Sequence, residues 1–241
     1  MIQLYNDVSF ETSRLITSSY STSFSRAVSL LSNDIRNAIF SIYGFVRLAD
    51  EIVDTFQGYN QKQLMKNFRK ETEEALNTGI STNPILQAFI HTVKEYKIDY
   101  HYIDAFLKSM EMDLTNSYYE PQHYNEYIYG SAEVVGLMCL QVFTGNDKIL
   151  FNELIEPARS LGSAFQKVNF LRDIKSDMEE RERIYLPGVN HAIKIDDENK
   201  RNLEKEIEIE FQKALIGIKK LPVGVKLGVY SAYLYYKGLF K

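Results

Sequence analysis

Two groups of acidic residues in this sequence have the spacing of metal ligands on a helix. Asp50 and Asp54 lie four residues apart, and Asn169, Asp173 and Asp177 repeat that spacing over two turns. Residues four apart in a helix project from one face, about 6 Å apart along the axis. Mg²⁺ prefers oxygen ligands and shares its coordination sphere with the phosphate oxygens of substrates. Two such helices facing each other would suit chemistry on a diphosphate.

The spacing alone does not establish a metal site. With 32 acidic residues among 241, about four acidic pairs at this spacing arise by chance, and most such pairs lie on solvated helix faces. An ordinary surface or ion-pair role therefore stays open for both groups. Apolar neighbours favour a site, and they are Ala49, Ile52 and Val53 for the first group and Val168, Phe170, Leu171 and Ile174 for the second.

The composition favours one globular domain, residues 1–241. The chain is 45% hydrophobic, with five prolines and 12 glycines, and it has no low-complexity linker. Its formal charge of −4 is spread along the chain, so no basic stripe indicates nucleic acid. The single cysteine, Cys139, cannot form an internal disulfide and suits a reducing compartment. The four histidines show no ligand spacing.

The sequence predicts a cytoplasmic protein. Its N-terminal residues lack the basic region, apolar stretch and cleavage site of a secretory signal. The two most apolar segments, residues 127–144 and 223–240, are interrupted by polar or charged residues such as Glu133 and Lys226. We therefore expect neither segment to span a membrane.

Helical periodicity dominates the sequence, which predicts an all-α bundle. The hydroxyl-rich stretch 18–23 is predicted to be a loop, because Ser and Thr side chains compete for backbone hydrogen bonds. Asn33 or Asp34 is predicted to cap the helix that carries Asp50 and Asp54, and Pro157 is expected to kink or restart a later one. The predicted helices cover residues 8–18, 33–58, 61–77, 83–96, 100–117, 121–143, 148–181, 198–219 and 224–240.

Several stretches, taken together and in order, resemble the squalene and phytoene synthase family. They are Tyr-Ser-Thr-Ser-Phe-Ser at 20–25, Ile-Tyr-Gly-Phe-Val-Arg at 42–47, Asp-Glu-Ile-Val-Asp at 50–54, Met-Glu-Met-Asp-Leu at 110–114, Tyr-Gly-Ser-Ala-Glu-Val-Val-Gly at 129–136, Leu-Gly-Ser-Ala-Phe-Gln-Lys-Val-Asn-Phe-Leu-Arg-Asp at 161–173 and Arg-Ile-Tyr-Leu-Pro at 183–187. The chain departs from the family pattern at Thr22, where members often have a basic residue, and at Glu51, where Asp is common. It is also shorter than a typical member, so we expect a last helix that covers the cavity to be missing.

The resemblance implies an isoprenoid-synthase-type helical bundle around a central cavity. It also implies a magnesium-dependent prenyltransferase that joins two prenyl diphosphates head to head, without a nicotinamide cofactor in the phytoene branch. The implied ligands of Mg²⁺, or of Mn²⁺ in its place, are Asp50, Asp54, Asn169, Asp173 and Asp177. The implied catalytic residues are Asp50, Asp54, Asp173, Asp177 and Tyr129. The implied substrate-binding residues are Ser21, Thr22, Ser23, Tyr43, Arg47, Asp113, Gln166, Arg172, Arg183, Tyr185 and Tyr235.

Three functions stay open on this resemblance. The leading one is condensation of two geranylgeranyl diphosphates to phytoene through a cyclopropyl diphosphate, a step of carotenoid biosynthesis. The near alternative is squalene or dehydrosqualene synthesis from farnesyl diphosphate. A catalytically silent relative that acts as a binding or assembly protein is the third, and both intact acidic groups argue against it. The expected partners are prenyl diphosphates and, because the product is apolar, at most the inner membrane surface.

Overall fold

The computed structural model describes residues 1–115, 121–145, 147–180, 183–186 and 197–241. Its elements are α1 (Ile2–Tyr20), α2 (Thr22–Ser29), α3 (Asn33–Asp54), α4 (Gln61–Thr78), α5 (Pro84–Tyr96), α6 (Tyr100–Asp113), α7 (Pro121–Ile128), a π-helical turn (Tyr129–Glu133), α8 (Val134–Thr144), α9 (Lys148–Glu180), α10 (Asp197–Lys220) and α11 (Val223–Phe240). No β-strand occurs within the described ranges. The predicted all-α architecture is therefore confirmed.

The prediction of a loop at residues 18–23 is wrong. α1 continues to Tyr20 and α2 begins at Thr22, so Ser21 alone leaves the helix. The hydroxyls in α1 do not break the helix, because they donate to carbonyls of the preceding turn, as Thr17 does to Ser13 at 2.8 Å. Ser21 has extended backbone angles and caps α2 by accepting a hydrogen bond from the backbone N–H of Phe24.

Other boundaries lie closer to the predictions. Ser32, rather than Asn33 or Asp34, is the N-cap of α3, and that helix ends at Asp54. α9 runs through Pro157 without restarting. α6 ends at Asp113, and the predicted ends at residues 117 and 181 lie outside the described residues.

α3 forms the centre of the hydrophobic core and packs against α1, α5 and α8. Phe45 on α3 is fully buried and stacks on Phe89 with ring centroids 3.9 Å apart. Phe68 and Phe106 also lie against the Phe45 ring. Burying one such side chain stabilises the fold by about 1.5–3 kcal/mol. This cluster anchors the helix whose last turn carries Asp54.

A buried ion cluster joins α9 to α10. Lys167 on α9 has a side chain that is 4% exposed, and its Nζ lies 2.6 Å from Oε1 of Glu210 and 2.5 Å from Oε1 of Glu206. The Ser163 hydroxyl donates to the same Glu210 oxygen at 2.8 Å. Burial raises the pKa of Glu210, and the Lys167 ammonium opposes that shift. The cluster fixes which face of α9 points towards α10, and therefore where Asn169 points.

α9 also crosses the π-helical turn at close range. A Cβ atom at Gly162 would lie 2.6 Å from the carbonyl oxygen of Ala132, so the crossing needs glycine. Turns of this kind are frequent at functional sites. The turn carries Tyr129, one of the residues predicted to be catalytic.

The segment Gln122–Thr144 is long and apolar enough, by length and composition alone, to cross a membrane. Half of its most apolar 18-residue window is buried inside the fold, and core helices of soluble proteins pass the same test. It is weak evidence for a membrane span.

Candidate active site

The last turn of α3 forms the first acidic region. Asp50 and Asp54 are both half-buried there. Arg183, from the segment that follows α9, donates from Nη1 to Oδ1 of Asp54 at 2.6 Å and from Nη2 to the carbonyl of Val53 at 2.6 Å. The guanidinium therefore satisfies a carbonyl that the end of the helix leaves without a helical partner, and its charge suits the negative end of the helix dipole.

Arg47 lies one turn before Asp50 on α3. One of its terminal nitrogens pairs with Glu51, and the guanidinium carbon lies 4.3 Å from the centre of the Tyr20 ring. Its Nε is buried and has no hydrogen-bond partner among the described residues. An N–H held out of water without a partner is costly, so it is a ready donor to a phosphate oxygen.

α9 carries the second acidic region. Arg172 donates to both oxygens of Asp173, at 2.7 and 2.6 Å. Asp177 is 6% exposed, and its backbone carbonyl accepts from the backbone N–H of Arg183 at 2.9 Å. The Oδ1 atom of Asn169 is buried and lacks a partner in the part of the chain that the structure describes. An orphaned amide oxygen is a ready ligand for a hard cation.

Tyr236 on α11 lies beside the second acidic region. Burial raises its pKa, while a hydrogen bond donated by the Asn169 amide nitrogen and the charge of Arg172 oppose that shift. On the α3 side, burial is also the main cause that raises the pKa of Tyr43, which is hydrogen-bonded to Ser21 and within electrostatic reach of Tyr236. Tyr43 is thus within electrostatic reach of Asp50 on α3, and Tyr236 of Asp173 on α9.

The sequence predicts Tyr235, rather than its neighbour Tyr236, as a substrate-binding residue. Tyr235 is 46% exposed and meets the Tyr236 ring edge-on. Helical periodicity could have identified Tyr236, because it follows the buried Tyr233 by three residues and therefore lies on the same face of the helix. Phe165 stacks on Tyr236 at 3.9 Å and adds an aromatic wall.

Arg183 is the centre of a buried polar network. Besides its bonds to α3, its Nη1 lies 3.2 Å from the Tyr185 hydroxyl and 3.8 Å from Oδ2 of Asp113. Tyr185 donates to Oδ1 of Asp113 at 3.0 Å, and Tyr127 donates to Oδ2 at 2.8 Å. Burial and the Asp113 charge raise the pKa of Tyr185, so its hydroxyl stays a donor. The predicted residues Asp113, Arg183 and Tyr185 are therefore brought together.

The three predicted hydroxyl residues at the start of α2 differ in their surroundings. Ser21 and Ser23 are half-buried with hydroxyl oxygens 3.5 Å apart, whereas Thr22 is exposed. Ser21 is held against Tyr43. Gln166 is half-buried on α9, three residues before Asn169.

Tyr129 contacts His101 and Arg159 rather than either acidic region. Its hydroxyl lies 3.3 Å from Nε2 of His101, and the Arg159 guanidinium lies 5.5 Å from its ring centre. Tyr127, two residues earlier, is the tyrosine that reaches the Arg183 network. Among the described residues, these contacts therefore do not join the predicted catalytic Tyr129 to the aspartates.

The predicted magnesium ligands do not form a closed cluster. In the described ranges, no three His, Cys, Asp or Glu side chains lie close enough together to hold a metal ion. Asp54 and Asp173 are paired with arginines instead. The donor set still suits Mg²⁺, because it consists of carboxylates and of the buried Asn169 oxygen that lacks a partner. The magnesium site stays a prediction with which these residues are compatible.

Comparisons with known proteins identify the family of this chain. Residues 17–198 match the family model described as squalene/phytoene synthase. The chain is 29% identical over 256 residues to the 15-cis-phytoene synthase of Synechocystis sp., with 95% of this chain and 75% of that protein covered. It is 30% identical to the phytoene synthase of Arthrospira platensis, over 74% of this chain and 61% of that one. A 4,4'-diapophytoene synthase of Staphylococcus haemolyticus is 27% identical to this chain, over 71% of this chain and 59% of that protein.

Solved structures show the same fold. A dehydrosqualene synthase superposes with a TM-score of 0.85 at 22% identity, covering 98% of this chain and 85% of that one. A squalene synthase from Alicyclobacillus acidocaldarius superposes with a TM-score of 0.83 at 19% identity, covering 98% and 93%. The isoprenoid-synthase-type bundle expected from the sequence is therefore confirmed.

Proposed function

Because the chain belongs to the squalene/phytoene synthase family, we propose that it joins two prenyl diphosphates head to head. Members of this family are prenyltransferase-type enzymes. One observation carries the proposal for this chain: each acidic region holds a buried polar atom without a partner among the described residues. Arg47 Nε is a donor that suits a phosphate oxygen, and Asn169 Oδ1 is an acceptor that suits a cation.

We assign the diphosphate-binding roles from charge and position. Arg47 and Arg172 bind phosphate oxygens, and the hydroxyls of Ser21 and Ser23, the exposed Thr22 and the Gln166 amide donate further hydrogen bonds. Magnesium would be held by the five predicted ligands named above. When bound, it neutralises the charge that develops on the diphosphate as the carbon–oxygen bond ionises.

The aromatic residues suit the carbon half of the reaction. An allylic cation left after ionisation adds to the double bond of the second substrate, and water must be kept away from it. The stacked pair Phe165 and Tyr236 and the pair Phe24 and Tyr43 present ring faces next to the acidic regions. The negative face of an aromatic ring attracts a cation, so these rings would stabilise it.

The proposed substrate is geranylgeranyl diphosphate, which gives phytoene. The phytoene synthases named above are 29% and 30% identical to this chain, against 27% for the diapophytoene synthase. Farnesyl diphosphate is the second candidate, since the superposed structures are a dehydrosqualene synthase and a squalene synthase.

The test is incubation of the purified protein with Mg²⁺ and each prenyl diphosphate, followed by chromatography and mass analysis of the hydrocarbons. We expect a forty-carbon product from geranylgeranyl diphosphate, and its loss in Asp50→Ala and Asp173→Ala. Glu179→Ala is the matched control, because Glu179 is an exposed acid on the same helix as Asp173. No hydrocarbon from either substrate with the wild type would support the silent binding protein instead.

We also propose that the protein is cytoplasmic and makes peripheral contact with the inner membrane surface. α11 has exposed apolar side chains at helical spacing, namely Val223, Leu227, Tyr230 and Leu234. It contains no acidic residue, and Lys220 and Lys241 flank it, which suits anionic headgroups. Co-sedimentation with phosphatidylglycerol vesicles should fall in a Leu227→Glu, Leu234→Glu variant. Unchanged binding of that variant would refute this surface.

A further inference from the structure

The terminal nitrogens of Arg183 and both carboxylate oxygens of Asp113 already have protein partners among the described residues. The Arg183 side chain is 8% exposed, and both terminal nitrogens donate to protein oxygens within 2.6 Å. The Asp113 side chain is 3% exposed, and each of its carboxylate oxygens accepts from a tyrosine hydroxyl. A phosphate could bind the terminal nitrogens of Arg183 only by displacing bonds that are already short and buried.

The same network joins the two acidic regions. Arg183 holds the Asp54 carboxylate through its side chain and the Asp177 carbonyl through its backbone N–H. The Asp177 and Arg183 side chains also line one cavity of about 10 Å³, room for roughly one water molecule. One residue therefore sets the distance between the ends of α3 and α9.

Asp113 constrains that guanidinium by its charge, 3.8 Å from Nη1, and through the Tyr185 hydroxyl, which accepts from Nη1 and donates to Asp113. A planar guanidinium donates in a rigid fork, so its orientation is set by where its acceptors lie. Asp113 stands on α6 and is itself held by Tyr127 of α7 and by Tyr185. Without this carboxylate, Arg183 keeps its bonds to α3 but loses a nearby opposite charge and the acceptor that holds the Tyr185 hydroxyl beside it.

We propose that Asp113, acting through Arg183, is a positioning residue that orients the Asp54 carboxylate for the magnesium diphosphate, and that it does not itself contact the substrate. This inference rests on the proposed function and goes beyond it, since Asp113 and Arg183 were expected from the sequence to bind substrate. Residues that orient metal ligands from behind typically change metal affinity by about 10–100-fold when they are replaced.

The test measures binding and needs no turnover. Mg²⁺ is titrated by calorimetry into folded protein at a fixed concentration of inorganic diphosphate. Asp113→Asn keeps the size of the side chain but removes its charge, and we expect it to weaken Mg²⁺ binding by about 10–100-fold. Tyr127→Phe removes one hydroxyl and should shift the affinity in the same direction. If Asp113→Asn does not fold, Tyr127→Phe still tests the inference.

Ile103→Ala is the matched control for a purely structural effect. Ile103 is fully buried on α6, the helix that carries Asp113, so the variant should lower the melting temperature and leave Mg²⁺ affinity unchanged. Wild-type affinity in both folded network variants, or an equal loss in Ile103→Ala, would overturn the inference. Failure of the wild type to bind Mg²⁺ would instead refute the metal site of the proposed function, and the inference with it.

Discussion

Replacing Lys167 by methionine should destabilise the protein by about 3 kcal/mol, because it leaves a buried glutamate without its partner. Removing one member of a buried ion pair typically costs about 3–5 kcal/mol. The lower end applies here, since Glu206 is 56% exposed and can be hydrated, while Glu210 is 15% exposed and keeps only the Ser163 hydroxyl. For a chain of this size, about 1 kcal/mol corresponds to roughly 2–4 °C in melting temperature, so we expect a loss of about 6–12 °C.

The destabilisation should depend on pH, and its sign follows from Glu210. Burial already raises the pKa of this carboxyl in the folded protein, and loss of Lys167 raises it further. A folded-state pKa above the unfolded value of about 4.3 means that ionising the group disfavours the folded state as pH rises. The loss in Lys167→Met should therefore grow as pH rises above the unfolded pKa of about 4.3 and shrink as pH falls, because protonation of Glu210 removes the buried charge.

Thermal unfolding followed by circular dichroism measures both effects. Lys220→Met is the matched control, because Lys220 also joins α10 to α9, through Glu153 at 2.5 Å, but both side chains are 48% exposed. Such surface pairs contribute about 0–1 kcal/mol. The double variant Lys167→Met, Glu210→Gln should recover part of the stability, since no charge is left buried. A Lys167→Met loss no larger than that of Lys220→Met, or independent of pH, would refute this reasoning.

Two further predictions test the site and the packing that supports it. Tyr236→Phe removes the hydroxyl that is hydrogen-bonded to the Asn169 side chain and should lower kcat of hydrocarbon formation by about 10-fold. Tyr230→Phe, on the exposed face of the same helix, is the control. Equal rates in the two variants would contradict the placement of Tyr236 in the site. Gly162→Ala would put a Cβ 2.6 Å from the Ala132 carbonyl oxygen and should cost about 1–3 kcal/mol. Gly238→Ala, in open space on a helix, should instead stabilise by about 0.5–1 kcal/mol, and both are measured by denaturant unfolding.

Most helices could be predicted because their signal is local. Apolar periodicity and caps such as Asn83 place α5 at Pro84–Tyr96, within a residue of the prediction. The stretch at 18–23 could not be resolved in the same way. Its hydroxyls bond either to the preceding helical turn or away from it, and packing of the buried Ser13 and Thr17 against the rest of the fold decides between them.

The sequence predicts which residue types form the site better than it predicts which side chains contact each other. The spacing of Asp50 and Asp54 indicates an acidic helix face. Nothing in the neighbouring sequence predicts that Arg183 pairs with the Asp54 carboxylate. Asp113 looked like a substrate-binding residue because its run of neighbours resembles the family, whereas its contacts come from Tyr127 and Tyr185. Such pairings depend on tertiary packing between distant segments, which periodicity does not encode.

The contact between Tyr236 and Asn169 also bears on how the site is made during translation. Domains assemble as the chain emerges N-terminus first, at about 5–20 residues per second. The turn with Asp50 and Asp54 is made early, but its counterpart on α9 gains its tyrosine only after α11 has been synthesised and has docked. Contacts between segments so far apart in sequence form late in folding. A nascent chain should therefore be unable to bind diphosphate productively until α11 has folded back onto α9.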